Sequence, residues 1–219
     1  MTAVETGMNR KSHWESIYAT KGSSSLSWFQ PHPQRSLDLI ERTGLPRNAK
    51  ILDVGGGDSL LVDELVERGY TDITVLDLSG AAIARARQRL GEAATGRVTW
   101  LEGDILETAL PREEFDIWHD RAVFHFLTTA KERESYIQRV RSSVHRGGHV
   151  IVATFAEDGP TRCSGLPVER YSATELHDTF GSDFQLAASE REVHNTPTGT
   201  EQSFTYCWFR YEPVVVSTG

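Results

Sequence analysis

The stretch WHDRAVFHF, residues 118–126, gathers His119, Asp120, Arg121 and His125 directly after an apolar run. Imidazole and carboxylate groups move protons, and guanidinium holds anions. The carboxyl end of a strand is where an α/β sheet presents such groups. His125 is a candidate proton acceptor, with a packing histidine as the plainer alternative. Arg121 either clamps an anionic substrate or pairs with its neighbour Asp120. A second cluster lies in ILDVGGGDS, residues 51–59, where Asp53 precedes Gly55, Gly56 and Gly57. Glycine reaches positive φ and carries no Cβ, so a ligand can approach this backbone closely. Asp77 and Leu78 follow in VLDLS, and Asp104 and Ile105 in LEGDI. A carboxylate at a strand tip after a glycine turn accepts two hydrogen bonds from vicinal ribose hydroxyls, which points to adenosine. On the same rim, GPTRCSGLPVERYS offers Arg162, Cys163 and Tyr171 on the substrate side.

The type of adenosine ligand follows from what the turn lacks. The third glycine of the dinucleotide fingerprint is replaced by Leu60, and GxxxxGK[ST] is absent. Asp58, near the expected helix start, suits the positive end of a helix but repels a pyrophosphate. A phosphate-free cation fits better, and S-adenosylmethionine (SAM) is one. Asp53 has a plainer reading as a carboxylate that caps nearby amides.

The elements that must position these residues alternate. Strands are expected over 49–54, 72–77, 97–104, 115–120 and 149–155, with helices over 58–69, 79–91 and 130–148 between them. Apolar runs alternating with periodic helices imply parallel βαβ units and a doubly wound α/β sheet. Ser12 with Glu15 forms a capping-box pattern that predicts a helix start, and 34–44 reads as a second helix. After an irregular insertion over 156–171 come a helix over 172–180 and strands over 183–191 and 204–210. The link between the two strands has no room for a crossover helix, so the last strand is expected to be antiparallel. Residues 212–219 read as a frayed tail.

The ordered set ILDVGGGDS, VLDLS, LEGDI, FDIWHDRAVFHF and RGGHVIVATF spans roughly residues 12–210. It resembles the class I SAM-dependent methyltransferases, and within them a bacterial branch similar to small-molecule, thiol and lysine methyltransferases. The resemblance implies a Rossmann-like seven-stranded sheet with the last strand antiparallel. It also implies an N-terminal helical lid over 1–44 on a SAM-binding domain over 45–212, the whole forming a single domain over 12–212. Carried over motif by motif, Gly55 and Gly57, with Gly56 between them, approach the methionine part of SAM. Asp53 reaches its amino group, directly or through water. Asp77 binds the ribose, Leu78 packs on the adenine, and Asp104 and Ile105 hold the adenine edge. His119 and Asp120 lie beside the methyl donor. Trp14, Tyr18, Trp28 and Phe29 close over the sulfonium, with S-adenosylhomocysteine as the product. Trp14 and Tyr18, at helical spacing, also read as plain core residues.

The expected chemistry is in-line methyl transfer to a small soft nucleophile of thiol, sulfide or metalloid type. A thiol is already partly thiolate at neutral pH and needs little help from a base. Cys163 is a soft contact for such an acceptor or a small residue tightening a loop. Protein lysine methyl transfer is the alternative, and a SAM-binding regulator without turnover stays open. A nicotinamide oxidoreductase is disfavoured by Leu60. The net charge of −8 and the absence of [DNS]PP[YFW] argue against nucleic-acid acceptors. Arg85, Arg87 and Arg89 read as a solvated helix face. Two distant cysteines without a CxxC give no metal site. No secretory h-region or membrane-length apolar run is seen, so a cytoplasmic location is expected. The oligomeric state is not specified by the sequence.

Overall fold

A computed structural model describes residues 3–213, with side chains from Arg10 onward. The helices are α1 (Ala3–Thr20), α2 (Gln34–Arg42), α3 (Leu61–Glu67), α4 (Gly80–Leu90), α5 (Ala130–Ser143) and α6 (Ala173–Phe180). The strands are β1 (Lys50–Val54), β2 (Asp72–Asp77), β3 (Val98–Glu102), β4 (Phe115–Arg121), β5 (Val144–Phe155), β6 (Arg162–Cys163), β7 (Leu166–Pro167), β8 (Phe184–Asn195) and β9 (Glu201–Tyr211). Residues 214–219, most of the expected tail, lie outside the described residues.

Seven strands form one sheet in the order β3-β2-β1-β4-β5-β9-β8, and β6 with β7 makes a separate two-residue hairpin. β1 to β5 are parallel, whereas β9 is antiparallel to both β5 and β8. The five residues 196–200 joining β8 to β9 cannot accommodate a crossover, which forces this pairing. The fold expectation therefore holds. The strand order reverses beside β1 and β4, so their carboxyl tips flank the crevice where ligands bind.

Two cores sandwich the sheet, because successive strand residues point to opposite faces. Ile51 joins Leu37, Ile40, Leu61 and Leu65 under α2 and α3. Its neighbour Leu52 joins Trp118, Tyr136, Ile137 and Phe180 under α5 and α6. Each of these side chains is at most 5 % exposed, and full burial of such a side chain contributes roughly 1.5–3 kcal/mol.

Several local expectations change. α1 runs through Ser12, so no helix starts there. Glu15 instead reaches the N-terminus of α4 and accepts hydrogen bonds from Gly80 N (2.6 Å) and Ala81 N (3.4 Å). Ser79 caps α4 as expected, accepting from Ala82 N. α5 ends at Ser143 rather than at 148, because Gly147 sits at φ +82° and the β5 backbone begins at Val144. Arg85 and Arg89 do not form a solvated face. Both pair with the buried Asp58, and Arg89 also pairs with Asp63. No helix among the described residues is long and apolar enough to cross a membrane.

Candidate functional site

The glycine turn leaves β1 with Gly55 at φ +69° and Gly57 at φ +34°. Gly55 N donates to Leu76 O at 2.7 Å, which ties the turn to β2. A Cβ at Gly55 would fall 2.1 Å from Val123 Cγ2. At Gly56 it would fall 2.3 Å from Asp53 Oδ2, and at Gly57 2.5 Å from Asp77 Oδ2. The two carboxylates thus occupy the space that side chains would otherwise take.

Asp53 is 2 % exposed and its Oδ1 lies 2.7 Å from His119 Nδ1. His119 Nε2 lies 2.9 Å from Ser36 Oγ on α2. Asp53 Oδ2 is buried without a hydrogen-bond partner. Asp77, at the tip of β2, accepts from Ser79 N at 2.8 Å. Burial raises its pKa to about 7, and the carboxylates of Asp53, Glu15 and Asp58 push it in the same direction.

Two adjoining compartments open along this rim. The larger, of about 820 Å³ with its open mouth included, is lined by Asp77, Leu78, Asp104 and Ile105 on one side. Trp14, Val123, Phe126, Leu127 and Cys163 line it on the other. The smaller compartment is lined by Phe29, Ser36, Asp53, Gly56, Asp58 and His119. Tyr18, Trp28, Val54, Gly55 and Arg121 line both. Trp14 meets Trp28 edge-on at 5.6 Å between centroids and Phe126 at 5.2 Å. Tyr18 packs with Leu26 and Ala82, so it is both a core residue and part of the wall.

Residues 51–148 match a family model described as a methyltransferase domain. EEF1A lysine methyltransferase 2 of Mus musculus is 20% identical over 84% of this chain and 75% of its own length. Burkholderia thailandensis 1,6-didemethyltoxoflavin-N1-methyltransferase, solved with 1,6-didemethyltoxoflavin and S-adenosylhomocysteine, superposes with a TM-score of 0.74 at 19% identity, covering 97% of this chain and 92% of that one. A structure solved in work on the conversion of a disulfide bond into a thioacetal group during echinomycin biosynthesis gives 0.72 at 19% identity, covering 93% and 92%. At such identities the solved structures establish the shared fold, and the matched domain adds the family. Residues 51–148 are a methyltransferase domain, set in the fold of the SAM-dependent methyltransferases.

The site of this methyltransferase fits its cofactor. SAM carries an amino group and a ribose, and the buried, unpartnered Asp53 Oδ2 and the cleft-lining Asp77 are acceptors for such groups. Asp58 does not act as a bare charge at a helix start, because Arg85 and Arg89 neutralise it and Ser23 donates to it.

Four predicted substrate-side residues stand apart from the cleft walls. His125 is 0 % exposed, wedged between Phe126 and Phe155, with Nδ1 accepting from Phe155 N at 3.4 Å. Burial lowers its pKa to about 3, and Arg121 adds to the shift. It is a packing histidine. Asp120 accepts from Tyr136 OH at 2.5 Å and from Val123 N at 2.9 Å, so it shapes the turn after β4 rather than facing a methyl donor. Burial raises its pKa to about 6 despite those bonds. Arg162 is exposed and bonds Gly165 O within its hairpin. Tyr171 is buried against Phe124. His119 lines only the smaller compartment.

Arg121 does not pair with Asp120. Its Nε donates to Tyr206 OH at 3.0 Å and its Nη1 to Trp28 O at 3.2 Å, and Glu192 lies at 3.7 Å. Sequence reasoning missed Arg10, Ser36, Val123, Phe126 and Leu127 as lining residues and Tyr206 and Glu192 as partners of Arg121. Arg10, Ser36, Leu127, Glu192 and Tyr206 lie outside the motifs, and Val123 and Phe126 are apolar positions within FDIWHDRAVFHF. Their place within WHDRAVFHF was the available signal.

Proposed function

We propose that this methyltransferase transfers the methyl group of SAM to a small soft nucleophile of thiol, sulfide or metalloid type. One observation carries the reading: the acceptor side has no proton acceptor. Among the described residues, the wall facing Asp77 and Asp104 consists of Arg10, Trp14, Tyr18, Trp28, Arg121, Ala122, Val123, Phe126, Leu127 and Cys163, and burial keeps the Tyr18 hydroxyl protonated. The carboxylates of the same compartment, Asp77 and Asp104, belong to the β2 and β3 side. Burial pushes the Cys163 thiol up to about 11, so it stays neutral, with Ser164 and Arg121 opposing the shift. An acceptor that arrives already nucleophilic suits this wall. An amine or alcohol needs a base nearby.

SAM, when bound, supplies a methyl group on a positively charged sulfur. The chain's part is to hold, align and dry. Asp77 accepts from the ribose, Leu78 and Ile105 pack on the adenine, Asp104 holds its edge, and Asp53 with the glycine turn takes the methionine end. Trp14, Tyr18, Trp28 and Phe29, from a segment spanning 1–44, close the site as a lid over the domain spanning 45–212. Alignment of donor and acceptor in such a site can contribute roughly 7–11 kcal/mol of rate. The aromatic faces also stabilise a cation.

Protein lysine methyl transfer is the second reading, and the mouse relative favours it. Against it, a lysine ammonium would meet the arginines Arg10 and Arg121 in the same compartment, whose carboxylates, Asp77 and Asp104, lie on the β2 and β3 side. Small-molecule acceptors fit the net charge of −8, which disfavours nucleic acid. Two free thiols, Cys163 and Cys207, suit a cytoplasmic location. The test is a tritiated-methyl screen of thiols, sulfide, selenide, phenols, amines and a cell lysate. Label in volatile thioethers supports the first reading, whereas label in a protein band supports the second and overturns the first.

A further inference from the structure

Arg121 stands where the two compartments meet, together with Tyr18, Trp28, Val54 and Gly55. With the methionine end beside Asp53 and the adenosine beside Asp77, that junction is where the sulfonium and its methyl group must lie. A fixed guanidinium there repels a bound sulfonium unless an anion comes between them.

The guanidinium is fixed. Tyr206 OH and Trp28 O take Nε and Nη1, and the Phe204 ring lies 4.4 Å from Cζ. Nη2 is shut off from solvent and donates to nothing. Glu192 lies near enough for an ion pair at 3.7 Å but makes no hydrogen bond to Nη2. Its Oε2 already accepts from Gln30 Nε2 and Tyr206 OH, both at 3.2 Å. After burial, the dominant influence on each, Arg121 favours the deprotonated forms of Cys163 and His125, whereas at His194 and Tyr206 Glu192 opposes it. Arg10, the other arginine of the larger compartment, is committed to Glu132 at 2.5 Å.

We propose that Arg121 selects the methyl acceptor as an anion, a thiolate in the first place, and holds it against the sulfonium on the wall formed by Trp28 and Cys163. This rests on the soft-nucleophile reading and deepens it. The step balances without a proton transfer. A lone pair of the acceptor S⁻ forms the new S–CH3 bond, and the pair of the broken C–S⁺ bond stays on the cofactor sulfur. One positive and one negative charge become two neutral thioethers. Arg121 thereby replaces a general base, since it favours the form of the acceptor that has already lost its proton.

The test is a binding measurement on protein saturated with S-adenosylhomocysteine at pH 8. Benzenethiolate and its neutral analogue methyl phenyl sulfide are titrated by calorimetry, and the thiolate absorbance is read in parallel. Wild-type protein should prefer the thiolate by about 10- to 150-fold, the range of one charge-assisted hydrogen bond. Arg121→Met should lose that preference, Arg121→Lys should keep part of it, and both should bind S-adenosylhomocysteine within about twofold of wild type. An Arg121→Met protein that keeps the preference overturns the proposal. So does a parallel loss of S-adenosylhomocysteine affinity in folded Arg121→Lys, which would assign the arginine to the cofactor carboxylate. A wild-type protein that binds thiolate preferentially but methylates no thiol, sulfide or selenide would overturn the soft-nucleophile reading and leave the anion selection standing.

Discussion

The carboxylate of Asp53 and the imidazole of His119 lie 2.7 Å apart beneath the glycine turn, each at most 3 % exposed, on the adjacent strands β1 and β4. Register explains the meeting: Asp53 and His119 are directly paired across the two parallel strands. The imidazole fixes one carboxylate oxygen and leaves the other, lying against Gly56, without a partner. The pair therefore stands in the wall of the smaller compartment, under the glycine turn.

Removing one partner of such a buried pair strands the other. His119→Ala should destabilise the protein by about 1–3 kcal/mol in urea denaturation, the cost of leaving a buried partner unsatisfied. His119→Asn, which retains a donor, should cost less than half as much. Equal costs for the two variants would mean that the hydrogen bond to Asp53 is not what matters.

Gly56 tests the fit of the turn by sterics alone, because its φ is not in the left-handed region. Gly56→Ala puts a methyl group 2.3 Å from Asp53 Oδ2, and Asp53 must give way. Overpacking of this kind costs about 1–3 kcal/mol. S-adenosylhomocysteine affinity should fall by about 10-fold or more, the equivalent of at least 1.4 kcal/mol. An unchanged calorimetric affinity would show that Asp53 plays no part in binding.

Asp77 carries a pH signature. Its folded-state pKa is raised to about 7, chiefly by burial, above an unfolded value of about 3.9. The folded protein therefore favours its protonated form. The stability linked to this group is fully present below pH ~4 and is lost as pH rises through about 7. Asp120, raised to about 6 by burial, acts in the same direction. Ribose hydroxyls and a cationic ligand favour the ionised carboxylate, so S-adenosylhomocysteine should bind more tightly as pH climbs past 7, with proton release. Asp77→Asn should flatten that slope in calorimetry performed in two buffers. Asp77→Ala should weaken binding by roughly 1.5–3 kcal/mol, about 10- to 150-fold.

His125 provides a negative control for catalysis. It is sealed behind the wall and stays neutral, with a pKa near 3 from burial. His125→Ala should lower the melting temperature through the cavity it leaves. Turnover per folded molecule should stay within about threefold, under 1 kcal/mol. A larger fall in kcat at unchanged cofactor affinity would restore His125 as a proton acceptor.

The sequence by itself determined the sheet and the grouping of the glycine turn, Asp77 and Asp104 along its rim. Hydrophobic period distinguishes strand from helix, and the glycine turn, Asp77 and Asp104 lie in local stretches at the ends of consecutive strands, so chain order already groups them. It also determined that β9 runs antiparallel, since five residues cannot make a crossover. Only the tertiary structure decided where the residues of WHDRAVFHF go. In WHDRAVFHF four polar residues look equivalent, yet strand alternation and the turn after β4 send Asp120 and His125 into the core, His119 under Asp53 and Arg121 to the compartment junction. The partners that give each its character, Ser36, Tyr136, Glu192 and Tyr206, come from α2, α5, β8 and β9. Contacts between elements so far apart in the chain leave no period or spacing in the sequence, because burial and charge pairing are set only once the layers have packed.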